Sequence, residues 1–260
     1  MLIEHCITEN GIEEYDKVKV AIARLREFEP PEGYYLAFSG GKDSVVIYDL
    51  AVKAGVKFDA HYNITTVDPP ELVKFIRQQY PDVQGHRPEK NMWQLIIENG
   101  MPPTRLMRYC CRILKERGGS GRRVITGVRR LESNKRQGRR MVENCLSDGT
   151  KTFLNPIIDW GDGDVWQYIR ENNIKYCSLY DEGFKRLGCV MCPMGNTRLM
   201  LKDAARWPKI YNQYLRTFDK MLAVRREKEL PTNFKTAEDV MRWWIYNPPK
   251  GDPDQGVLFE

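Results

Sequence analysis

The stretch Tyr34-Tyr35-Leu36-Ala37-Phe38-Ser39-Gly40-Gly41-Lys42-Asp43-Ser44 decides the fold of this 260-residue chain. Residues 34–38 form a short apolar run, the pattern of a strand buried on both faces in a parallel sheet. Residues 45–54 read as a helix closed by Gly55. Between them lies a glycine-rich turn. Strand, turn and helix in that order make a phosphate cradle: glycines let backbone N–H groups approach anionic oxygens, and a helix opening near Asp43 brings its partial positive end. Lys42 can neutralise phosphate charge, Ser39 and Ser44 can donate hydrogen bonds, and Asp43 can help hold Mg²⁺ if the ligand is ATP. The spacing is not that of a Walker A loop, which needs four residues between its first glycine and Gly-Lys.

Working outward, the spacing of Ile12, Tyr15, Val18, Ile22 and Leu25 predicts an amphipathic helix over 10–28, stopped by Pro30-Pro31. A second strand is expected over 59–67. Helices are expected over 70–79, with proline in the first turn where its missing N–H costs nothing, and over 91–99, ended by Gly100. Short strands at 124–127 and 153–158 and a helix at 163–171 complete an alternation of strands and helices. That alternation implies a doubly wound α/β fold with a mainly parallel sheet. From Thr197 the pattern becomes helical, over 198–228 and 236–246, and the last ten residues read as a loose tail. The expected organisation is an N-terminal helix (1–30), a nucleotide-binding α/β domain (31–195) and a helical C-terminal extension (196–260).

Composition narrows the function classes. Hydrophobic residues make up 42% and charged residues 29%, ordinary for a globular protein. No apolar run is long enough to span a bilayer, and the N-terminus lacks the basic-then-apolar pattern of a secretory signal, so the expected setting is the cytoplasm, without a membrane partner. The net charge of +6 is unevenly spread. Residues 105–140 carry thirteen Lys and Arg against Glu116 and Glu132, a local +11 that leaves the remainder at −5. Such a block points to an anionic ligand: phosphate, sulfate or nucleic acid.

The Ser39–Ser44 turn resembles the SGGxDS signature of the PP-loop superfamily, the adenine nucleotide α-hydrolases, which cleave ATP between the α and β phosphates or use the same cradle for sulfonucleotides. Four later segments resemble the phosphoadenosine phosphosulfate (PAPS) reductase family within it. They are Val67-Asp68-Pro69-Pro70-Glu71-Leu72, then Gly127-Val128-Arg129 through Ser133 to Arg136, matching G-x-R-x-x-x-S-x-x-R. Asn155-Pro156 with Trp160 and Asp164-Val165-Trp166 follow, and Tyr180-Asp181-Glu182-Gly183-Phe184 with Gly188-Cys189-x-x-Cys192 comes last. The resemblance implies an adenosine contact at Val67 and an anion-binding motif in Gly127, Arg129, Ser133 and Arg136. Guanidinium forks suit phosphate and sulfate oxygens. With the loop residues Ser39, Gly40, Gly41, Lys42, Asp43 and Ser44 these form the expected nucleotide site, and Lys42, Asp43 and Arg129 its catalytic set. Arg130, Arg139 and Arg140 are open to a larger polyanion or to solvent. Trp160 and Trp166 read as packing residues.

Seven cysteines, an odd number in a long chain, favour metal or thiol chemistry over a disulfide framework. Cys110-Cys111 and Cys189-x-x-Cys192 make a four-thiolate set suited to a [4Fe–4S] cluster or, as the less favoured alternative, zinc. Adjacent side chains diverge, which suits two irons of a cube better than two corners of one tetrahedron. The set also resembles the CC…CxxC signature of cluster-bearing sulfonucleotide reductases. Those enzymes attack sulfur with a tail cysteine, and no cysteine follows Cys192 through Glu260. The expected activity is therefore ATP-dependent adenylation of a substrate with sulfur transfer, nucleic acid being one candidate acceptor and a sulfur donor or thiol reductant protein a candidate partner. The alternatives are a sulfonucleotide reductase using Cys145 or Cys6, and a non-catalytic nucleotide-sensing or nucleic-acid-binding subunit.

Overall fold

The structure, a computed structural model, describes residues 2–8, 11–146 and 148–246; side chains 5–8 and 11–13 lie outside the description. Its residues form two compact units that interleave along the chain. The first comprises the described residues within 1–62, 70–86 and 118–187, and the second those within 63–69, 87–117 and 188–246.

The first unit holds a six-stranded sheet. In chain order its strands are β3 (Tyr34–Ala37), β4 (Phe58–Asn63), β5 (Gln84–His86), β6 (Arg123–Ile125), β7 (Val142–Asn144) and β8 (Thr152–Leu154), arranged β5-β4-β3-β6-β8-β7. Pairings β3–β4, β3–β6 and β6–β8 are parallel, and β7 pairs antiparallel with β8. This is the mainly parallel α/β sheet expected from the alternation. Its central strand β3 places Leu36 at full burial, and helix α2 (Lys42–Ala54) buries Val45, Val46, Ile47, Leu50 and Ala51. Helix α2 packs against α1 (Lys17–Glu27) and α5 (Asp162–Glu171). The expected packing role of Trp160 holds: it is fully buried with its ring 5.5 Å from Tyr168.

The N-terminal segment corrects the helix expected over 10–28. Residues Ile3–Thr8 (β1) and Gly11–Asp16 (β2) form an antiparallel hairpin, and the helix begins only at Lys17. The physical reason is Asp16, whose carboxylate accepts from Val18 N at 3.0 Å and Lys19 N at 3.2 Å and so caps the helix there. The strand expected over 59–67 likewise stops at Asn63.

The second unit is mainly helical: α4 (Met92–Asn99), α6 (Thr197–Arg206), α7 (Pro208–Glu227) and α8 (Ala237–Tyr246). Helix α7 packs on α4, α6 and α8 around Leu95, Tyr214, Phe218, Met221 and Trp244. The single helix expected over 198–228 is two, because Pro208 has no N–H to continue α6 and opens α7 instead. The expected loose tail at 251–260 lies outside the described residues. Among the described residues no helix is long and apolar enough to cross a membrane.

Candidate functional site

Strand β3 delivers the chain to the glycine-rich turn in the first unit. Gly40 has φ +70°, and a Cβ there would lie 2.7 Å from Leu72 Cδ1 and 2.8 Å from Ile76, on α3 (Pro70–Gln79). Only glycine satisfies both the left-handed backbone and that close approach. Gly41 is the N-cap of α2, and its carbonyl accepts from Ser44 N at 2.9 Å and Ser44 Oγ at 2.8 Å. Lys42 N donates to the Tyr180 hydroxyl at 2.8 Å. The turn opens on a cavity of about 480 Å³ lined by Ser39, Gly41, Lys42, Asp43 and Ser44 together with Gly127, Arg129 and Arg136. That is within the usual size of a small-molecule site.

Charge in this cavity is densely cross-connected. Arg129, only 1% exposed, donates from Nε to Asp43 Oδ1 at 2.7 Å and from Nη2 to Asp162 Oδ1 at 3.2 Å. Lys42 Nζ lies 3.1 Å from Asp162 Oδ1 and 3.5 Å from Asp43 Oδ2. Gly127 explains how the arginine motif comes so near: a Cβ there would be 2.8 Å from Asp43 Cβ. Arg136 pairs with Glu132. Burial lowers the Arg136 pKa; Arg186 and Arg139 push the same way, against Glu132. Like charge from neighbouring guanidiniums makes this part of the cavity favourable to an anion.

The structure brings most of the sequence-identified residues together but not all. Ser133 is exposed, and it does not line the cavity; nor does Gly40, whose part is to shape the turn. Val67 belongs to the second unit, fully buried, with its carbonyl accepting from Val190 N at 2.8 Å. Asp162, Tyr180, Lys185 and Arg186 also line the cavity and were not singled out as site residues from sequence. Tyr180 stood inside a quoted motif, and Asp162 opens α5, yet no spacing rule ties either to the loop.

The basic block also divides. Arg105 belongs to the second unit and donates to the Pro193 and Gly195 carbonyls at 3.0 and 2.6 Å. Arg122 pairs with Asp59 at 2.5 Å, and Arg123 donates to Phe28 O at 2.8 Å. Arg139 pairs with Glu143 at 2.6 Å. Several of these thirteen cations hold the fold rather than a ligand. Arg130, Lys135 and Arg140 are exposed.

In the second unit Cys110, Cys111, Cys189 and Cys192 line one small cavity with Lys115 and Tyr214, although their two sequence segments lie far apart. A π turn over Cys111–Lys115 carries the adjacent pair, and Met191, at φ +57°, turns the CxxC segment. Hydrogen bonding to Cys111 and burial raise the Cys110 pKa, while that bond and Arg108 lower that of Cys111. Against desolvation, the sulfurs of Cys189, Cys192 and Cys111 hold the Lys115 pKa up. Among the described residues no group of three or more His, Cys, Asp or Glu is arranged to hold a single metal ion. Cys177 is buried, Cys145 is half-buried, and the Cys6 side chain lies outside the described residues.

Residues 33–195 match the phosphoadenosine phosphosulfate reductase domain. The chain belongs to that family. It is 31% identical over 225 residues to an uncharacterized protein of Methanocaldococcus jannaschii, covering 79% of this chain and 54% of the relative. It is 29% identical over 187 residues to an adenosine 5'-phosphosulfate reductase of Oceanobacillus iheyensis, covering 66% of this chain and 75% of that enzyme. This PAPS reductase family chain spans about half the length of the curated relatives it matches first. Its fold is similar to that of the PAPS reductase of Candida auris, with a TM-score of 0.50 at 21% identity, covering 67% of this chain and 88% of that one.

Proposed function

We propose that this PAPS reductase family chain is an enzyme that binds ATP at the Ser39–Ser44 turn, adenylates a substrate and supports sulfur transfer to it. The observation that carries the choice of ATP is the pair of carboxylates, Asp43 and Asp162, facing the same cavity as Lys42 and Arg129. A triphosphate with Mg²⁺ uses carboxylates at its lip, because Mg²⁺ is commonly held by one or two of them plus substrate phosphates. A sulfonucleotide without a metal gains nothing from them and is repelled. Asp43 and Asp162 would hold Mg²⁺, which screens phosphate charge during attack. A substrate oxygen attacks the α phosphorus, the bond to the β-phosphate oxygen breaks, and pyrophosphate leaves with the electron pair. Lys42 and Arg129 stabilise the charge that develops. A sulfur nucleophile then displaces AMP.

The cysteine set supports a resident [4Fe–4S] cluster, with zinc as the less favoured alternative. Four sulfurs face one cavity, and Arg108 and Lys115 offset thiolate charge. A cube would take one sulfur ligand on each of its four irons. When bound, the cluster supplies a sulfur-binding, redox-active centre. The exposed Arg130, Lys135 and Arg140 support an anionic acceptor, nucleic acid included. A sulfur donor or thiol reductant protein is the further partner this chemistry needs, in a cytoplasmic setting.

The test is pyrophosphate release from ATP by anaerobically purified protein with candidate acceptors, using Lys42→Ala and Asp43→Asn as controls. Release that both variants abolish supports the assignment; a holoprotein that neither binds ATP nor releases pyrophosphate ends it. The second reading, sulfonucleotide reduction, is favoured by the named activity of the Oceanobacillus relative and predicts sulfite release from a sulfonucleotide with a thiol reductant. ATP binding without turnover would indicate the third reading, a nucleotide-sensing subunit.

A further inference from the structure

Tyr180 reaches the cradle from a different part of the chain. It ends the 3₁₀ turn Ser178–Tyr180, whose backbone is fixed by Tyr180 N donating to Cys177 O at 3.1 Å. Its ring is clamped edge-on by Trp166, centroids 5.0 Å apart at 86°, and by Tyr176 at 6.2 Å. The clamp leaves the hydroxyl little freedom, and that hydroxyl accepts the Lys42 N–H at 2.8 Å. A Cβ at Gly41 would lie at ordinary contact distance from it, 3.5 Å from the phenol oxygen.

A phenol has one hydrogen and can accept as well as donate. With the Lys42 amide as its donor partner, the Tyr180 oxygen still has its own hydrogen to give. Among the described residues no acceptor lies within hydrogen-bond reach of that hydrogen, and the residue lines the cavity. Burial pushes the phenol pKa well above its usual value, and the carboxylates Asp43 and Asp162 push it the same way, so the group stays a donor at every working pH.

We propose that Tyr180 is a substrate-contacting donor of the nucleotide site: it accepts the Lys42 amide and passes one hydrogen bond on to a non-bridging phosphate oxygen. The loop amide thereby acts on the phosphate through a neutral hydroxyl, and a loop with few free amides gains a donor that carries no charge. This rests on the nucleotide assignment made above. It adds a contact that neither the SGGxDS turn nor the arginine motif contains.

The experiment is a thio-substitution cycle. Dissociation constants of adenosine, ATP, ATPαS, ATPβS and ATPγS are measured for the wild type and Tyr180→Phe, with folding checked by thermal melting. Sulfur accepts hydrogen bonds poorly, so one analogue should bind the wild type several-fold more weakly than ATP and Tyr180→Phe no more weakly than ATP. Tyr180→Phe should itself lose five- to twentyfold in ATP affinity while adenosine is unchanged. Thio penalties that are the same in both proteins for every analogue overturn the proposal and leave a purely structural tyrosine. Absence of nucleotide binding by the wild type fails the underlying assignment instead, and with it this one. Should Tyr180→Phe not fold, site-specific replacement of Tyr180 by 3-fluorotyrosine decides the matter below the fluorophenol pKa. A stronger donor and poorer acceptor tightens ATP binding two- to threefold if the hydroxyl donates to substrate, and weakens it if it serves only Lys42.

Discussion

Arg129 Nε donates to Asp43 Oδ1 at 2.7 Å, and that contact joins the arginine motif after β6 to the first turn of α2. The arginine is almost wholly buried, and its other partners are Asp162 Oδ1 at 3.2 Å and the Trp160 carbonyl at 3.3 Å. It therefore shapes the cradle before any ligand arrives.

Arg129→Ala should lower stability by about 3 kcal/mol, because truncating one partner of a buried pair leaves the other uncompensated. Arg129→Lys should recover part of that but not the fork to both carboxylates. Urea midpoints of the three proteins check this; a midpoint unchanged in Arg129→Ala contradicts it.

Gly127→Ala should displace the start of α2, because the new methyl would sit 2.8 Å from Asp43 Cβ and 3.1 Å from its backbone. Overpacking of this kind costs roughly 1–3 kcal/mol. Nucleotide affinity should fall about tenfold, equivalent to ~1.4 kcal/mol. Titration calorimetry with ATP is the measurement, and unaltered affinity counts against so tight an approach.

Asp203 on α6 gives a pH prediction of unusual sign. It is buried, accepts from Met191 N at 2.8 Å, and burial pushes its pKa to about 6. The folded state thus holds a proton that the unfolded state has released. The contribution to stability is fully present below the unfolded carboxyl value, about 4, and is lost as pH rises through the folded one. Asp203→Asn keeps an acceptor for Met191 and removes the ionisation. It should be more stable than the wild type by about 3 kcal/mol above pH 7 and no more stable near pH 4. Denaturation across that range at matched metal content checks the claim, and a difference independent of pH rejects it.

Substituting Cys110, Cys111, Cys189 or Cys192 singly by serine should cut iron and sulfide per chain to a small fraction of wild type after anaerobic purification. Cys145→Ser should leave both unchanged. Equal zinc and no iron in every preparation would replace the cluster by zinc.

The parts of the fold that were legible in sequence are those fixed by local rules. Residues 70–79 were read to the residue because Pro70 opens that helix, and Gly55 and Gly100 close α2 and α4 in the left-handed conformation. The hairpin β1–β2 was missed because its apolar residues continue the stripe of α1. Asp16, the cap that separates them, stands outside that stripe, where a continuous helix would also carry a polar residue. The cradle was legible because its residues are contiguous. Asp162 and Tyr180 were not, since their roles come from tertiary placement beside Lys42. The basic block misled in part, because Arg105, Arg122 and Arg123 spend their donors on carbonyls and Asp59, which composition cannot reveal.

The interleaving of the two units has a bearing on how the molecule is made. The Cys110–Cys111 pair leaves the ribosome long before Cys189 and Cys192, and the whole third segment of the first unit is synthesised in between. The early thiols have no sulfur partners until that sheet segment has been built. A group held by all four thiols could be seated only after residue 192 has been made, and no cut at one place in the chain can release either unit intact.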